Sequence, residues 1–367
     1  MTELQGGSLR VAFVTVGDTT RMTGGYLYNA RVLAGLREGG VEVEELVAGG
    51  ASPQEQLVSA PRVGSMLNPA SFDAIVVDAL ASIAVAPHLD RWRAARPVVA
   101  LVHELPSVVG GSSEPGGLID QRACEEPLLR ADRLVAVSGH GRALLEARGV
   151  PPERVSVVPP GFDRLAPAEE TQTVRSAGLV RALCVAQWIP RKGIQTLIEA
   201  WTRRSRPGAV LELVGETDAD PAYAASVRGA IAAASDASIL VSGPVDDAAL
   251  EAAYAAADLF VLPSRYEGYG MVFAEALSFG LPVVACEVGP VPDLVGSDAA
   301  LLVPPGDPSA LADAFDLLLE TPGLRGRMSA AARRRSSSLP RWRDTVAGFD
   351  EALRSAVSRS VRPAGSR

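Results

Sequence analysis

Short apolar runs recur along the first half of the chain, separated by stretches with helical spacing. Residues 9–16 (LRVAFVTV) read as a first strand, and 25–40 (GYLYNARVLAGLREGG) as a helix stopped by Gly39 and Gly40. Further strands are expected at 41–47, 74–78, 98–103, 133–138 and 155–159, most of them with helical patterns between. Residues 163–180 are polar and lack a sustained apolar period, so they are expected to be a linker. The alternation then restarts with strands at 181–187, 209–216, 238–245, 259–264, 281–287 and 300–307, the last followed by a helix from Ser309. Near-continuous apolar strands alternating with helices predict parallel sheets covered on both faces. The expected fold class is therefore α/β, two doubly wound Rossmann-like domains in tandem, which face across a cleft at the carboxyl ends of their strands.

The domain reading is 1–165 for the first domain and 166–340 for the second. A helix at 341–357 is expected to cross back to the first domain, with Trp342 and Phe349 seven positions apart on one face. Residues 358–367 are expected to be a disordered tail.

Composition narrows the class. The chain of 367 residues is 47% hydrophobic and 21% charged, which suits two globular domains rather than a disordered chain. Its three scattered cysteines, Cys124, Cys184 and Cys286, suggest reduced, mostly buried thiols and a cytoplasmic setting. No Cys/His cluster suggests zinc. No basic start precedes an apolar signal core, and no run of 18 apolar residues is available to span a membrane. Net charge is −8 but uneven: residues 325–367 carry eleven arginines against Asp344, Asp350 and Glu351, leaving the remainder at −16. The acidic bulk argues against a nucleic-acid partner. The basic end reads as a solvated helix face and tail, with peripheral contact to anionic lipid as the less favoured reading. Oligomeric state is not specified by any pattern.

Candidate chemistry concentrates in Pro263 to Ala285. A polar turn containing Gly268 and Gly270 runs into a short helix, with Glu267 in the turn and Glu275 eight positions on. A helix start offers free N–H groups and positive dipole to a phosphate, and carboxylates accept from sugar hydroxyls. Lys192 is the only lysine, against 34 arginines, and stands in Pro190-Arg191-Lys192-Gly193 after an apolar run. A lysine kept under that bias points to a place where a compact ammonium works and a planar guanidinium does not. Gly24 and Gly25 lie between the first strand and its helix, where glycine lets backbone approach a phosphate. Their spacing is neither a dinucleotide fingerprint nor a P-loop. His103 ends a strand and faces the expected cleft. Asp218-Ala219-Asp220 could hold a divalent ion, but Asp220 before Pro221 reads better as a helix N-cap. Ser138 likewise reads as a cap rather than a nucleophile, since no G-x-S-x-G frame surrounds it.

Taken together, the chain resembles glycosyltransferase family 4, retaining GT-B enzymes that use nucleotide-sugar donors. Glu267 to Glu275, in SRYEGYGMVFAEAL, looks like that family's E-x7-E motif. Supporting matches are Gly24-Gly25, LVHELP around His103, VSVVPPGFD (155–163), PRKG (190–193) and residues 242–264. The resemblance implies that Glu275 binds the donor ribose. Glu267 and the backbone of Gly268, Tyr269, Gly270 and Met271 would bind the donor sugar. Lys192 would hold the diphosphate, Gly24 and Gly25 would approach it, and His103 would contact the sugar near the reacting atoms. The base would sit near Gly243 to Val245. UDP is expected ahead of GDP, no metal or other cofactor is expected, and the acceptor is a hydroxyl of unspecified identity. The sequence departs from the family where a Gly-Arg pair is common: these positions read Ala186-Gln187, which leaves Arg191 as the substitute diphosphate cation. A sugar phosphorylase, a nucleotide-sugar epimerase and a non-catalytic binding subunit are the competing readings.

Overall fold

The computed structural model describes residues 8–21, 23–109, 119–165, 178–204, 206–234 and 238–360. The chain forms two compact units, Met1–Gly161 with Pro340–Arg367, and Phe162–Leu339.

In the first unit the order is β1 (Arg10–Thr15), α1 (Gly24–Glu38), β2 (Glu42–Val47), α2 (Pro53–Met66), β3 (Ala74–Asp78), α3 (Ser82–Val85), α4 (Leu89–Ala95), β4 (Val98–Val102), α5 (Pro106–Val109), α6 (Gln121–Leu129), β5 (Arg133–Ala136), α7 (Gly139–Ala147) and β6 (Val155–Val157). The strands form one parallel sheet ordered β2-β1-β3-β4-β5-β6. The central strands are apolar and fully buried, as a sheet covered on both faces requires. The edge strands β2 and β6 are partly exposed, and β2 is the polar one. Its Glu42, Glu44 and Glu45 are exposed at the sheet edge, where charge discourages pairing with another chain.

The second unit repeats the plan. It contains β7 (Val180–Val185), α8 (Ile194–Thr202), β8 (Ala209–Val214), α9 (Pro221–Ala234), β9 (Ile239–Gly243), α10 (Asp247–Ala256), β10 (Leu259–Leu262), α11 (Met271–Ser278), β11 (Val283–Cys286), α12 (Val291–Val295), β12 (Ala300–Val303), α13 (Pro308–Glu320) and α14 (Pro322–Ser336). Its parallel sheet is ordered β12-β11-β10-β7-β8-β9. Local chemistry sets the helix starts. Asp220, Asp246 and Asp307 each cap a helix through a carboxylate accepting a backbone N–H, and Pro221 and Pro308 begin the helices that follow two of them. Asp220 is thus occupied as a cap.

The last helix, α15 (Trp342–Ser360), belongs to the first unit. It lies on α1 and on β3 to β5, burying Trp342, Phe349, Ala352, Leu353 and Ala356. Gly35 of α1 permits this approach: a Cβ there would stand 2.5 Å from the Val346 side chain. Arg133 donates to Ser355 Oγ at 2.6 Å, and Thr345 Oγ1 donates to the Pro159 carbonyl at 2.8 Å.

Two expected boundaries move. Residues 358–360 were expected in a disordered tail but are helical, because the buried face of α15 runs to Ala356 and the helical bonds continue for another turn; residues 361–367 lie outside the described residues. The second unit starts at Phe162, not at 166, since Phe162 and Leu165 are buried in its core. Most of the expected linker, 166–177, lies outside the described residues, and Val180 already belongs to β7. The basic C-terminal arginines are partly committed to the fold. Arg325 donates to the Leu318 and Leu319 carbonyls at the end of α13, and Arg335 to the Asp293 and Leu294 carbonyls of α12.

Gly161 meets the start of α15 so closely that a Cβ would lie 2.1 Å from the Trp342 backbone nitrogen. Gly161→Ala should therefore cost about 2 kcal/mol or more in urea unfolding, whereas Gly139→Ala, where nothing lies within 4 Å, should stay within about 0.5 kcal/mol. Equal stability of the two variants would contradict that packing.

Candidate functional site

The second sheet changes direction of winding between β7 and β10. After β7 the chain adds β8 and β9 on one side; after β9 it returns to add β10, β11 and β12 on the other. Loops leaving the carboxyl ends of such a pair diverge, and the gap between them is where ligands bind in doubly wound sheets. Both loops are tightly tied here. The Arg265 N–H donates to the Arg191 carbonyl at 2.7 Å. Gly193, at φ +70°, brings its backbone so close that a Cβ would stand 2.2 Å from the Pro263 carbonyl oxygen. Only glycine combines that dihedral with that approach.

This clamp brings Lys192 and Glu267 together, 75 residues apart in the chain. Lys192 follows β7 in a single 3-10 turn, Pro190–Lys192, and its Nζ donates to Glu267 Oε1 at 2.6 Å. Ser264 Oγ donates to the same oxygen at 2.6 Å. Glu267 is only 4% exposed. Burial by itself would raise its pKa, but the charges of Lys192 and Arg191 and the hydrogen bonds from Lys192 and Ser264 outweigh it and hold the carboxyl below its ordinary 4.5. Arg191 therefore sits close enough to act on this centre. Gln187, which the resemblance set in place of an arginine, donates to Glu216.

Gly268, Tyr269 and Gly270 lead from Glu267 into α11, which begins at Met271. Gly270 adopts φ +93° at the N-cap, with no side chain capping the helix start. Tyr269 stacks on Phe162 with ring centroids 5.6 Å apart. Glu275 lies in the second turn of α11 and is also buried. Its two oxygens have different partners. Arg164 Nη2 donates to Oε1 at 2.8 Å, while the Tyr254 hydroxyl donates to Oε2 at 3.0 Å. Burial, then the Glu275 charge, push the Tyr254 phenol well up, so it remains a donor. Arg164 also pairs with Asp247. Gly243 and Val245 lie at and after the end of edge strand β9, two strands away from β7; the Gly243 carbonyl accepts from Gly215 N at 2.8 Å, and Val245 is partly exposed.

The remaining candidates occupy the first unit, whose winding reverses between β1 and β3. Gly24 and Gly25 open α1 behind the Thr23 N-cap, and a Cβ on Gly25 would touch the His103 ring at 3.5 Å. His103 follows β4, packs edge-on to Tyr28 at 5.1 Å, and its Nε2 lies 2.8 Å from Asn29 Oδ1. Burial lowers its pKa, opposed by Asp78 and Glu104, so the neutral ring is favoured.

The sequence reading missed Arg164, Tyr254 and Ser264 around the two glutamates, and Asn29, Asp78 and Thr15 around His103. Asp78 carried a visible signal, an acid ending an otherwise apolar strand. Asn29 lies four positions after Gly25, on the same helix face. Arg164 carried none, because it stands in a polar stretch without period. The cysteines offer no nucleophile at this centre: burial pushes the Cys184 thiol up to about 12 and Cys286 to about 11.

Solved structures share this architecture. Sucrose-phosphate synthase of Thermosynechococcus elongatus superposes with a TM-score of 0.82 at 22% identity, covering 96% of this chain and 100% of that one. Anabaena HepE, in complex with UDP and glucose, superposes with a TM-score of 0.75 at 20% identity, covering 94% and 99%. Two six-stranded parallel sheets of this form are the GT-B glycosyltransferase fold. Residues 1–161 match the family described as glycosyl transferase 4-like domain, and 180–321 match glycosyl transferases group 1. A D-inositol 3-phosphate glycosyltransferase of Kineococcus radiotolerans is 30% identical over 302 residues, 73% of this chain and 68% of that protein. The chain belongs to the group 1, family 4-type glycosyltransferases.

Glu267 depends on Lys192 to be buried as an anion. Lys192→Ala should cost about 3–5 kcal/mol in urea unfolding, because an unpaired buried charge remains. The Glu267 carboxyl titrates lower in the folded chain than in the unfolded one, so its stabilisation is present above pH 4.5 and is lost as pH falls toward the folded value. In Glu267→Gln that part of the acid-unfolding curve should disappear. A Lys192→Ala protein as stable as the parent, with an unchanged acid limb, would contradict the pairing.

Proposed function

We propose that this glycosyltransferase moves a hexosyl group from a nucleotide-diphosphate sugar, UDP ahead of GDP, to an acceptor hydroxyl with retention of anomeric configuration and without a metal ion. The observation that carries the proposal is the Lys192–Glu267 pair at the switch point of the second sheet. It sets one cation and one carboxylate 2.6 Å apart beside the uncapped start of α11. Lys192, with Arg191 and the helix N-terminus, supplies positive charge for the departing diphosphate. Glu267 and the backbone of Gly268 to Met271 hold the hydroxyls of the transferred sugar, and Glu275 binds the ribose. In the first unit, His103, Gly24 and Gly25 are the residues assigned to substrate binding.

These groups support the following reaction. The bond between the anomeric carbon and the diphosphate oxygen breaks as the acceptor oxygen attacks from the same face. The acceptor proton passes to the departing phosphate oxygen. Such a path needs a stabilised leaving group and alignment rather than a strong enzymic base. UDP as the donor base is supported by HepE, a structural relative in complex with UDP and glucose. The relatives named D-inositol 3-phosphate glycosyltransferases make that cyclitol phosphate the first acceptor to test.

Thermal-shift titration with UDP-, GDP- and ADP-sugars should raise the melting temperature for one base, by about 2.7 kcal/mol of stabilisation at a hundredfold excess over Kd. Transfer should persist in EDTA, and NMR of the product should show the donor's anomeric configuration. Glu267→Ala should lower kcat by about 10²-fold or more. Full turnover in that variant would remove Glu267 from the site. Transfer to phosphate instead of a hydroxyl would favour the phosphorylase reading.

A further inference from the structure

Four polar side chains are gathered at the carboxyl ends of β1, β3 and β4 in the first unit, and only His103 has so far been given a task. Asp78, the last residue of β3, is completely buried. Its Oδ1 accepts from the Leu80 N–H at 3.0 Å. Its Oδ2 accepts from Thr15 Oγ1 at 3.2 Å and from Asn29 Nδ2 at 2.8 Å. Asn29 lies in the second turn of α1, is 5% exposed, and has its other amide atom, Oδ1, 2.8 Å from His103 Nε2.

The donor and acceptor roles along this line are forced from its root. Carboxylate oxygens only accept, and three donors converge on Asp78. The Asn29 amide must therefore turn its NH₂ toward Asp78 and its oxygen toward His103. An amide oxygen also only accepts, so the proton of a neutral His103 ring must be on Nε2. Flipping the amide would set its oxygen against the buried carboxylate, leaving that oxygen without a donor and Asp78 with only the Thr15 hydroxyl and the Leu80 N–H, at the cost of an unsatisfied buried polar atom. The ring is confined as well, edge-on to Tyr28 and in reach of the Gly25 backbone position. Nδ1 is thereby the lone-pair nitrogen, and among the described residues no group bonds to it.

We propose that Asp78 and Asn29 are positioning residues that hold His103 as the Nε2–H tautomer, so that Nδ1 accepts a hydrogen bond from a hydroxyl of the sugar substrate. The identity of the ligand rests on the function proposed above; the tautomer does not. A histidine fixed this way reads a hydroxyl as a donor, which selects for an OH directed at Nδ1 and discriminates against a substrate lacking it. It also explains why a buried carboxylate stands behind a histidine it does not touch.

The chain has only three histidines, His88, His103 and His140, which makes a direct spectroscopic test practical. In full-length protein labelled with ¹⁵N-histidine, long-range ¹H–¹⁵N spectra distinguish the two neutral tautomers, and His103→Gln assigns the resonance. The expected spectrum shows His103 about tenfold or more in favour of Nε2–H at neutral pH, the bias expected from leaving a buried acceptor unpaired. Asp78→Asn keeps the shape but offers either an oxygen or an NH₂ to Asn29, and should collapse that preference toward a mixture. Asn29→Ala should do the same, with circular dichroism confirming that each variant is folded. A parent protein with the proton on Nδ1, or an Asp78→Asn variant with an unchanged tautomer, would overturn the positioning role. Addition of UDP-glucose should then move the Nδ1 resonance, and an unmoved resonance under calorimetrically verified binding would overturn the ligand role. Failure of every nucleotide sugar to bind would instead sink the function proposed above, while the tautomer stands or falls by the first spectrum.

Discussion

Every strand in both sheets runs parallel to its neighbours, and most of the chemistry of this protein follows from that polarity. A parallel sheet covered by helices has largely apolar faces, so its buried polar side chains gather mainly where strands end. All carboxyl ends of one sheet lie along one edge, and winding reverses once in each: between β7 and β10 in the second unit, between β1 and β3 in the first. Lys192 and Glu267 leave the first of these strand pairs. Thr15 and Asp78 end the second, with His103 beside them after β4. Parallel pairing thus placed residues far apart in sequence into two small polar clusters without any local signal linking them.

Burying an acid requires donors or a cation, and the chain meets that need in several ways. Glu267 has Lys192 and Ser264; Glu275 has Arg164 and Tyr254; Asp78 has Thr15, Asn29 and a backbone N–H. Glu125 is buried just as deeply, accepting from Arg148 at 3.0 Å and from both the amide and hydroxyl of Ser107. Yet it sits in α6 and anchors the start of α5, away from the strand ends. Buried ionisation therefore does not mark the site by itself. What separates Glu267 from Glu125 is position at the reversal of winding and the backbone clamp formed by Gly193 and Pro263.

Much of the fold was legible because its signals are local and repeated. Strand runs such as AIVVD at 74–78 appear in the structure with the expected bounds, and the Asp220-Pro221 start of α9 is a cap as its chemistry indicated. Boundaries were less legible where local polarity misled. The helix α15 continues through Ser360 because Leu353 and Ala356 anchor it on the first sheet, a contact that the polar sequence around Arg359 does not announce. Phe162 and Leu165 looked like the edge of a linker, but the second unit's core is where their apolar surface goes.

The sequence alone determined the two alternating α/β halves, the glycine-rich turn before α11 and the oddity of a single lysine. Periodicity and composition are properties of neighbouring residues, and these features need nothing more. Partnership belongs to the tertiary structure. That Lys192 lies on Glu267, that Arg164 takes one oxygen of Glu275, and that Asp78 is linked to His103 by hydrogen bonds through Asn29 were decided by strand order and helix packing. Hydrogen bonds and ion pairs act over a few ångströms in space, and only the folded chain sets which residues come within that range.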